Sequence, residues 1–462
     1  MQSVHEALRG QTSRRGLFQL AAAGGGAALL ASRAGQALGQ DKVELEFWTP
    51  GGSGPFCQGF ETIAQNYETL HPNVNIGETQ CGTGEQNFNE VLLARIAAGN
   101  PPDATVLWTS PAALAVRSAL EPLDAMMATS QYSQLENWPA AVLASCQWEG
   151  QTYGLPATAG TYAAIYNQEL FESKGIPSDR ASFPKTWDEL RQLSKEFTVW
   201  NGDTLDSMGV VPRPADAVEF AVLSACNGSQ LYDTANQKYT IDSAQNVELM
   251  DFFVAWLDEE YRGDYQKVLE SGNWSEIIVD GKPPAFQEGK LAVVRTGFWI
   301  TGEFYAHTEP KFERWDAARF PIGPSGTESK SGYWPNWLVV PKGTDNAAEA
   351  FSYLDYIGGE GIKVWFNNIP DLPTNSKVPL LVPQVAVDKR GEEFGKDITE
   401  FFRSQLEIAT PMWTSPVVDF ANDQVFRAIE QIMYKQSSPK DALGQAQRAR
   451  QAELERVLAS AG

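Results

Sequence analysis

Val43-Glu44-Leu45-Glu46-Phe47-Trp48 alternates apolar with acidic residues and runs into a glycine-rich turn, Pro50 to Pro55. Period-two alternation closed by Gly and Pro is the pattern of a strand with one face against a core. Phe60, Ile63, Ala64, Tyr67 and Leu70 then recur at helical spacing, and His71-Pro72-Asn73 ends that helix. Val74-Asn75-Ile76 reads as the next strand. Phe88, Val91, Leu92, Arg95 and Ile96 mark a second helix, closed by Gly99-Asn100-Pro101-Pro102, and Ala104 to Trp108 is a third strand. The order β-α-β-α-β predicts an α/β lobe with a largely parallel sheet. Ligands of such sheets collect beyond the carboxyl ends of the strands. Trp48, with Thr49 beside it, and Trp108 occupy such ends, although the preceding alternation equally suits Trp48 to a core.

Later punctuation is of the same style. Thr186-Trp187-Asp188-Glu189 is a capping box, and Leu190, Leu193 and Phe197 continue its buried face. Ser438 and Pro439 read as an N-cap and first helical residue before Ala442, Leu443 and Ala446.

The chain is long enough, at 462 residues, for two domain-sized units. With 36 Lys and Arg against 58 Asp and Glu, the formal charge of -22 repels phosphate backbones and argues against nucleic-acid binding. Fourteen Trp are present, many beside Gly, Pro, Asn or Thr. Indole faces suit the C–H faces of sugar rings, whose hydroxyls then need polar partners.

Ser13-Arg14-Arg15-Gly16-Leu17-Phe18 precedes an Ala/Gly/Leu-rich stretch to about Ala31 and a small-residue region, Ala34 to Gly39. That order predicts a signal peptide over residues 1–40, cleaved near residue 39, and the paired arginines give it a twin-arginine character. The apolar stretch falls short of the ~20 residues of a spanning helix. No Cys near the cleavage region supports a lipid anchor, so release into a periplasm is expected, with a mature charge of about -25. Cys57, Cys81, Cys146 and Cys226 all fall in the exported part, where three full pairings are open. Cys57–Cys81 is favoured, because both follow strand-like segments of one lobe. No Cys/His spacing suggests a metal, and no cofactor is expected.

A series of short motifs runs through nearly all of the exported chain: Gly99-Asn100-Pro101-Pro102-Asp103, Leu120-Glu121-Pro122-Leu123-Asp124, Gly150-Gln151-Thr152-Tyr153-Gly154-Leu155-Pro156, Ile165-Tyr166-Asn167, Pro184-Lys185-Thr186-Trp187-Asp188-Glu189-Leu190, Phe286-Gln287-Glu288-Gly289-Lys290-Leu291-Ala292, Gly297-Phe298-Trp299 and Pro373-Thr374-Asn375. In this order they resemble the extracellular solute-binding proteins of family 1, which include the maltodextrin-binding proteins. Val293-Val294 departs from that family's Ala-Met. The resemblance implies a type II periplasmic-binding-protein fold: two α/β lobes joined by a hinge, with the ligand cleft between them. It places residues 41–157 plus about 300–345 in the first lobe and 158–299 plus about 346–462 in the second. Crossings fall near Ala157–Gly160, near Trp299 and near 340–350. It further implies a monomer that captures a sugar by closure and docks on an ABC permease.

Trp299 is the leading candidate for ligand contact, since the family's Gly-x-Trp tryptophan often stacks on the ligand beside a crossing. Tyr333, Trp334 and Asn336, read as the mouth of a strand from Leu338, suit an aromatic platform with a polar clamp. Their alternative is a Pro-rich loop folded over its own aromatics. Ser53 in the Gly51-to-Gly54 turn, Glu85 in the next loop and Glu219 before a second-lobe helix are candidate hydroxyl partners. Arg295 is the dissenting residue, able to pair with an acidic or phosphorylated ligand. A secreted glycan-cleaving enzyme is the rival class, but no motif singles out a carboxylate pair at catalytic spacing or a nucleophile elbow, so no catalytic residue is assigned.

Overall fold

The computed structural model of the chain describes residues 42–461 except 52–53, 78, 83–87, 277, 303–309 and 411–414. The expected signal peptide, Ser53 and Glu85 lie outside the described residues. The opening alternation of strands and helices is present with one change: the segment read as a single strand splits into Val43–Glu44 and Phe47–Thr49, and Val74–Asn75 pairs with the first of these in a separate two-stranded sheet. Strand Phe47–Thr49 lies between Gln80–Cys81 and Ala104–Leu107, parallel to both. Helix Gly54–Leu70 starts with Pro55 in its first turn, where a missing N–H costs nothing. It ends before His71-Pro72, because a proline disfavours helical geometry in the residue it follows.

Alternation along these strands separates two cores. Phe47 packs on Phe60 and Tyr353, with ring centroids 5.2 and 5.3 Å away, while Trp48 meets Phe88 on the opposite face at 6.2 Å. Val106 and Leu338 join the Phe47 core, and Leu107, Trp337 and Val339 join the core of Trp48. A sheet buried on both faces is what helices on either side produce, and each large side chain removed from water contributes roughly 1.5–3 kcal/mol. Of the stripe read on the first helix, Phe60, Ile63, Ala64 and Tyr67 are buried, whereas Leu70 in its last turn is 60% exposed.

The sheet is mixed rather than largely parallel. Strand Ser331–Val339 runs antiparallel to both Ala104–Leu107 and Leu155–Asn167. The 13-residue strand Leu155–Asn167 is buried along its whole length. Its first half pairs with Ser331–Val339 on one side and Leu372–Pro373 on the other; its second half pairs with Trp315–Ala318 and Leu291–Gly297. It therefore carries the hydrogen-bond ladder from one half of the protein into the other, and neighbours that return along it must run antiparallel.

Helices Ala347–Tyr356 and Ile362–Asn368 bury Tyr353, Leu354 and Trp365 in the core of Phe47 and Phe60. The chain thus stays with the N-terminal half beyond residue 346. Helix Glu392–Gln405 packs on the other half, where Phe402 stacks on Phe298 at 4.8 Å. Helices Trp187–Phe197, Ala217–Cys226, Ala244–Glu260, Val418–Met433 and Pro439–Ala461 cover that half. The capping box forms as expected: Thr186 Oγ1 accepts from Glu189 N and Glu189 accepts from Thr186 N. Ser438 Oγ caps the last helix by accepting from Asp441 N.

A disulfide joins Cys57, in the first helix, to Cys81 at a strand end, with Cα atoms 5.9 Å apart. Cys146 and Cys226 remain buried thiols, and burial pushes Cys226 up to about 12. Closing a loop of 24 residues restricts the unfolded chain, so replacing both bridged cysteines by Ser should cost roughly 3 kcal/mol in urea unfolding. An unchanged midpoint would show that the bridge adds nothing.

Candidate ligand-binding site

The site grows from one face of the long strand Leu155–Asn167. Register sets Trp334 opposite Gly160 and Asn336 opposite Thr158, and residues opposed in an antiparallel ladder project from the same face. Tyr162, two residues beyond Gly160, is paired in turn with Gly297. On this face lies the indole of Trp299. A Cβ on either Gly160 or Gly297 would collide with its six-membered ring, so two glycines on adjacent strands form its seat. Tyr162 meets the indole edge-on, with ring centroids 5.1 Å apart. The Trp299 N–H donates to Glu276 Oε2 at 3.2 Å, and the same oxygen accepts from Thr296. Trp299 is only half-buried and packs against both cores. A ring fixed at its back and its N–H, with surface left open, can receive the apolar face of another ring.

Polar groups converge beside it. Asn336 Nδ2 donates to Thr158 Oγ1 at 2.8 Å and to Asp371 Oδ2 at 2.9 Å, and all three residues are buried. Burial pushes the Asp371 carboxyl up to about 7 against the pull of the Asn336 hydrogen bond. Its Oδ1 has no hydrogen-bond partner among the described residues. Such a buried acceptor costs roughly 1–3 kcal/mol.

Other candidates fall elsewhere. Trp48 is 3% exposed; its N–H donates to Glu46 Oε1 at 2.8 Å, and the Arg95 guanidinium covers its ring at 5.0 Å. It is a packing residue, held by the alternation that the sequence displays. Thr49 is buried and donates its hydroxyl to Gly51 O at 2.9 Å. Trp108 lies just past the strand Ala104–Leu107, half-buried, edge-on to Phe56 at 5.9 Å. Tyr333 to Trp337 are not a strand mouth but the middle of Ser331–Val339. Tyr333 is 3% exposed, and burial raises its hydroxyl pKa on the face shared with Ser145 and Cys146. Trp337 donates to Ser145 Oγ on that face at 2.9 Å. Alternation thus divides the expected platform, leaving Trp334 and Asn336 on the Trp299 side.

Arg295 and Glu219 form an ion pair with side chains only 4% and 3% exposed. Arg295 also donates to the carbonyls of Val211 and Arg213 at 3.1 and 2.5 Å and lies over Phe253 at 5.4 Å. Glu219 belongs to the first turn of helix Ala217–Cys226, capped by Asp216, and accepts from Ala215 N at 2.5 Å. Burial pushes its carboxyl up and Arg295 pulls it back. Both residues spend their charge on each other, so Arg295 is not an open anion receptor. The Tyr162 hydroxyl is raised chiefly by burial and then by the carboxylates of Asp216, Glu276, Glu219 and Asp371. The field of this face is therefore acidic. Among the described residues no group of three or more His, Cys, Asp or Glu side chains is placed to hold a metal ion, and no helix is long and apolar enough to cross a membrane.

The sequence reading missed Gly160, Glu276 and Asp371. Gly297 was in view only as part of the Gly-Phe-Trp motif and Gly160 only as the end of a crossing, whereas nothing in the sequence pointed to Asp371.

Replacing Gly297 by Ala would displace the indole from its seat. The expected result is an altered tryptophan emission spectrum with little loss of secondary structure; an unchanged spectrum would mean that the ring is not held there.

Known proteins share this architecture. CpMnBP1 with mannotriose bound superposes with a TM-score of 0.72 at 22% identity, over 89% of this chain and 100% of that one. An ABC substrate-binding protein from Listeria monocytogenes in complex with cycloalternan also gives 0.72, at 19% identity over 91% and 100%. The arabinooligosaccharide-binding protein of Halalkalibacterium halodurans is 23% identical over 68% of this chain and 67% of its own. An ABC transporter extracellular-binding protein of Pyrococcus horikoshii is 23% identical over 85% and 88%. The fold is that of the type II periplasmic sugar-binding proteins. The model of the bacterial extracellular solute-binding protein family matches residues 62–391, and the chain belongs to that family.

Proposed function

We propose that this protein is the exported capture subunit of an ABC importer and that its ligand is a neutral oligosaccharide. The observation that carries the reading is Trp299: an indole seated on two glycines, anchored through its N–H to Glu276, with Asn336, Thr158 and Asp371 beside it. One sugar face stacks on that ring while its hydroxyls reach the polar group. One relative named as an arabinooligosaccharide-binding protein, and solved neighbours holding mannotriose or cycloalternan, support the ligand class. The neutralised Arg295 and the surrounding carboxylates favour a neutral sugar over a sugar acid or a glycerol phosphate.

In this reading the two lobes close over the ligand, hinging where the long strand and Ser331–Val339 pass between them, and the closed monomer docks on the permease. The N-terminal lobe takes in helices Ala347–Tyr356 and Ile362–Asn368. The twin-arginine segment exports the protein to the periplasm and is removed.

A thermal-shift screen tests the reading. Neutral manno-, malto- and arabino-oligosaccharides, uronates and glycerol phosphates are each added to the mature protein. At about 100 times its Kd a ligand stabilises by about 2.7 kcal/mol. A rise confined to neutral oligosaccharides is expected; a rise confined to the anionic set would overturn the assignment.

A further inference from the structure

The Asp371 carboxyl is buried, and its two oxygens are used unequally. Oδ2 accepts from Asn336 at 2.9 Å, whereas Oδ1 has no hydrogen-bond partner among the described residues. That free oxygen is not remote from the proposed sugar platform. A Cβ built on Gly160 would lie 2.9 Å from Asp371 Oδ1 and against the Trp299 ring, so the oxygen and the indole edge close over the same glycine. The backbone fixes the carboxyl there: Leu372–Pro373 pairs with Thr158 and Ala159 of the long strand, and Asp371 N donates to Ile369 O at 2.8 Å.

We propose that Asp371 is the specificity-determining acceptor of the site, its Oδ1 taking a hydrogen bond from a hydroxyl of the sugar that stacks on Trp299. The proposal rests on the oligosaccharide reading above and adds to it a named polar contact with a pH signature. Burial alone raises the carboxyl to about 7, and no Lys, Arg or His among the described residues opposes it. Of the titratable groups on this face, Tyr162 on the long strand interacts electrostatically with Asp371, and Glu276, which holds the Trp299 N–H, acts on the same Tyr162 hydroxyl. A sugar hydroxyl donates more strongly to a carboxylate than to a carboxylic acid. Binding therefore favours the ionised form, lowers the Asp371 pKa and releases a proton near neutrality. Affinity accordingly rises with pH through 7 and levels off above it.

The test is calorimetric titration of the wild-type protein and Asp371→Asn with mannotriose, maltotriose and arabinotriose at pH 5.5, 7 and 8.5. For the trisaccharide that binds, the wild type is expected to bind about five- to tenfold more tightly at pH 8.5 than at pH 5.5. Asp371→Asn is expected to lose at least tenfold at pH 8.5 and to show a flat profile. Titration of the wild type at pH 7 in phosphate and in Tris gives a reading that needs no variant, because a released proton makes the apparent heat depend on the buffer. Equal heats in both buffers, or a variant with wild-type affinity and profile, would overturn the role of Asp371 and leave the oligosaccharide reading standing. Failure of the wild type to bind any saccharide would remove both.

Discussion

Arg295→Met is expected to destabilise the protein by about 3–5 kcal/mol, the cost of leaving a buried charge without its partner. The carboxylate so exposed is Glu219, 3% accessible and packed in the first turn of its helix. Arg295 in turn holds the carbonyls of Val211 and Arg213, so its removal also leaves two acceptors short of a donor. Urea unfolding measures the loss as a lower midpoint at constant slope. The double variant Arg295→Met with Glu219→Met is expected to recover most of it, because an apolar pair of similar volume carries no desolvation penalty. A single variant with a wild-type midpoint would mean that the pair contributes nothing. A folded Arg295→Met that gained affinity for uronates over neutral sugars would contradict the structural role assigned to the pair.

Trp299→Ala carries the largest expected effect on binding. Removing the indole deletes the stacking surface and leaves Glu276 without the N–H that it now receives. A loss of at least tenfold in affinity follows, or roughly 1.4 kcal/mol. Trp299→Phe keeps an aromatic face without the N–H and should fall between the two. Calorimetry with the ligand found in the thermal screen measures both. An unchanged titration for Trp299→Ala would remove the residue from the site.

The fold was largely legible because its signals are local. Val43 to Trp48 displays its alternation in six residues, Thr186 and Glu189 lie one helical turn apart, and Cys57 and Cys81 each follow a strand-like run of sequence. The site was legible only where a motif singled out one residue, as Gly297-Phe298-Trp299 did. Its remainder depends on strand register. Asn336 and Asp371 meet across 35 residues, and Trp334 reaches Gly160 only through the ladder that joins their strands. No spacing in the chain announces either meeting. The same dependence explains the residues that went elsewhere. Arg295 looked available beside Trp299, yet its partner Glu219 lies on helix Ala217–Cys226, far away in sequence, so no local spacing announces the pair. Tyr333 and Trp334 read as one platform, but successive strand residues point to opposite faces.

Calorimetric titration of the mature protein with neutral oligosaccharides, with the ligand recovered and analysed by chromatography afterwards, tests the central claim most directly. Saturable binding near micromolar affinity, about -8 kcal/mol, with the saccharide returned intact is the predicted result. Cleavage products in the recovered ligand, or binding of anionic ligands in place of neutral ones, would contradict it.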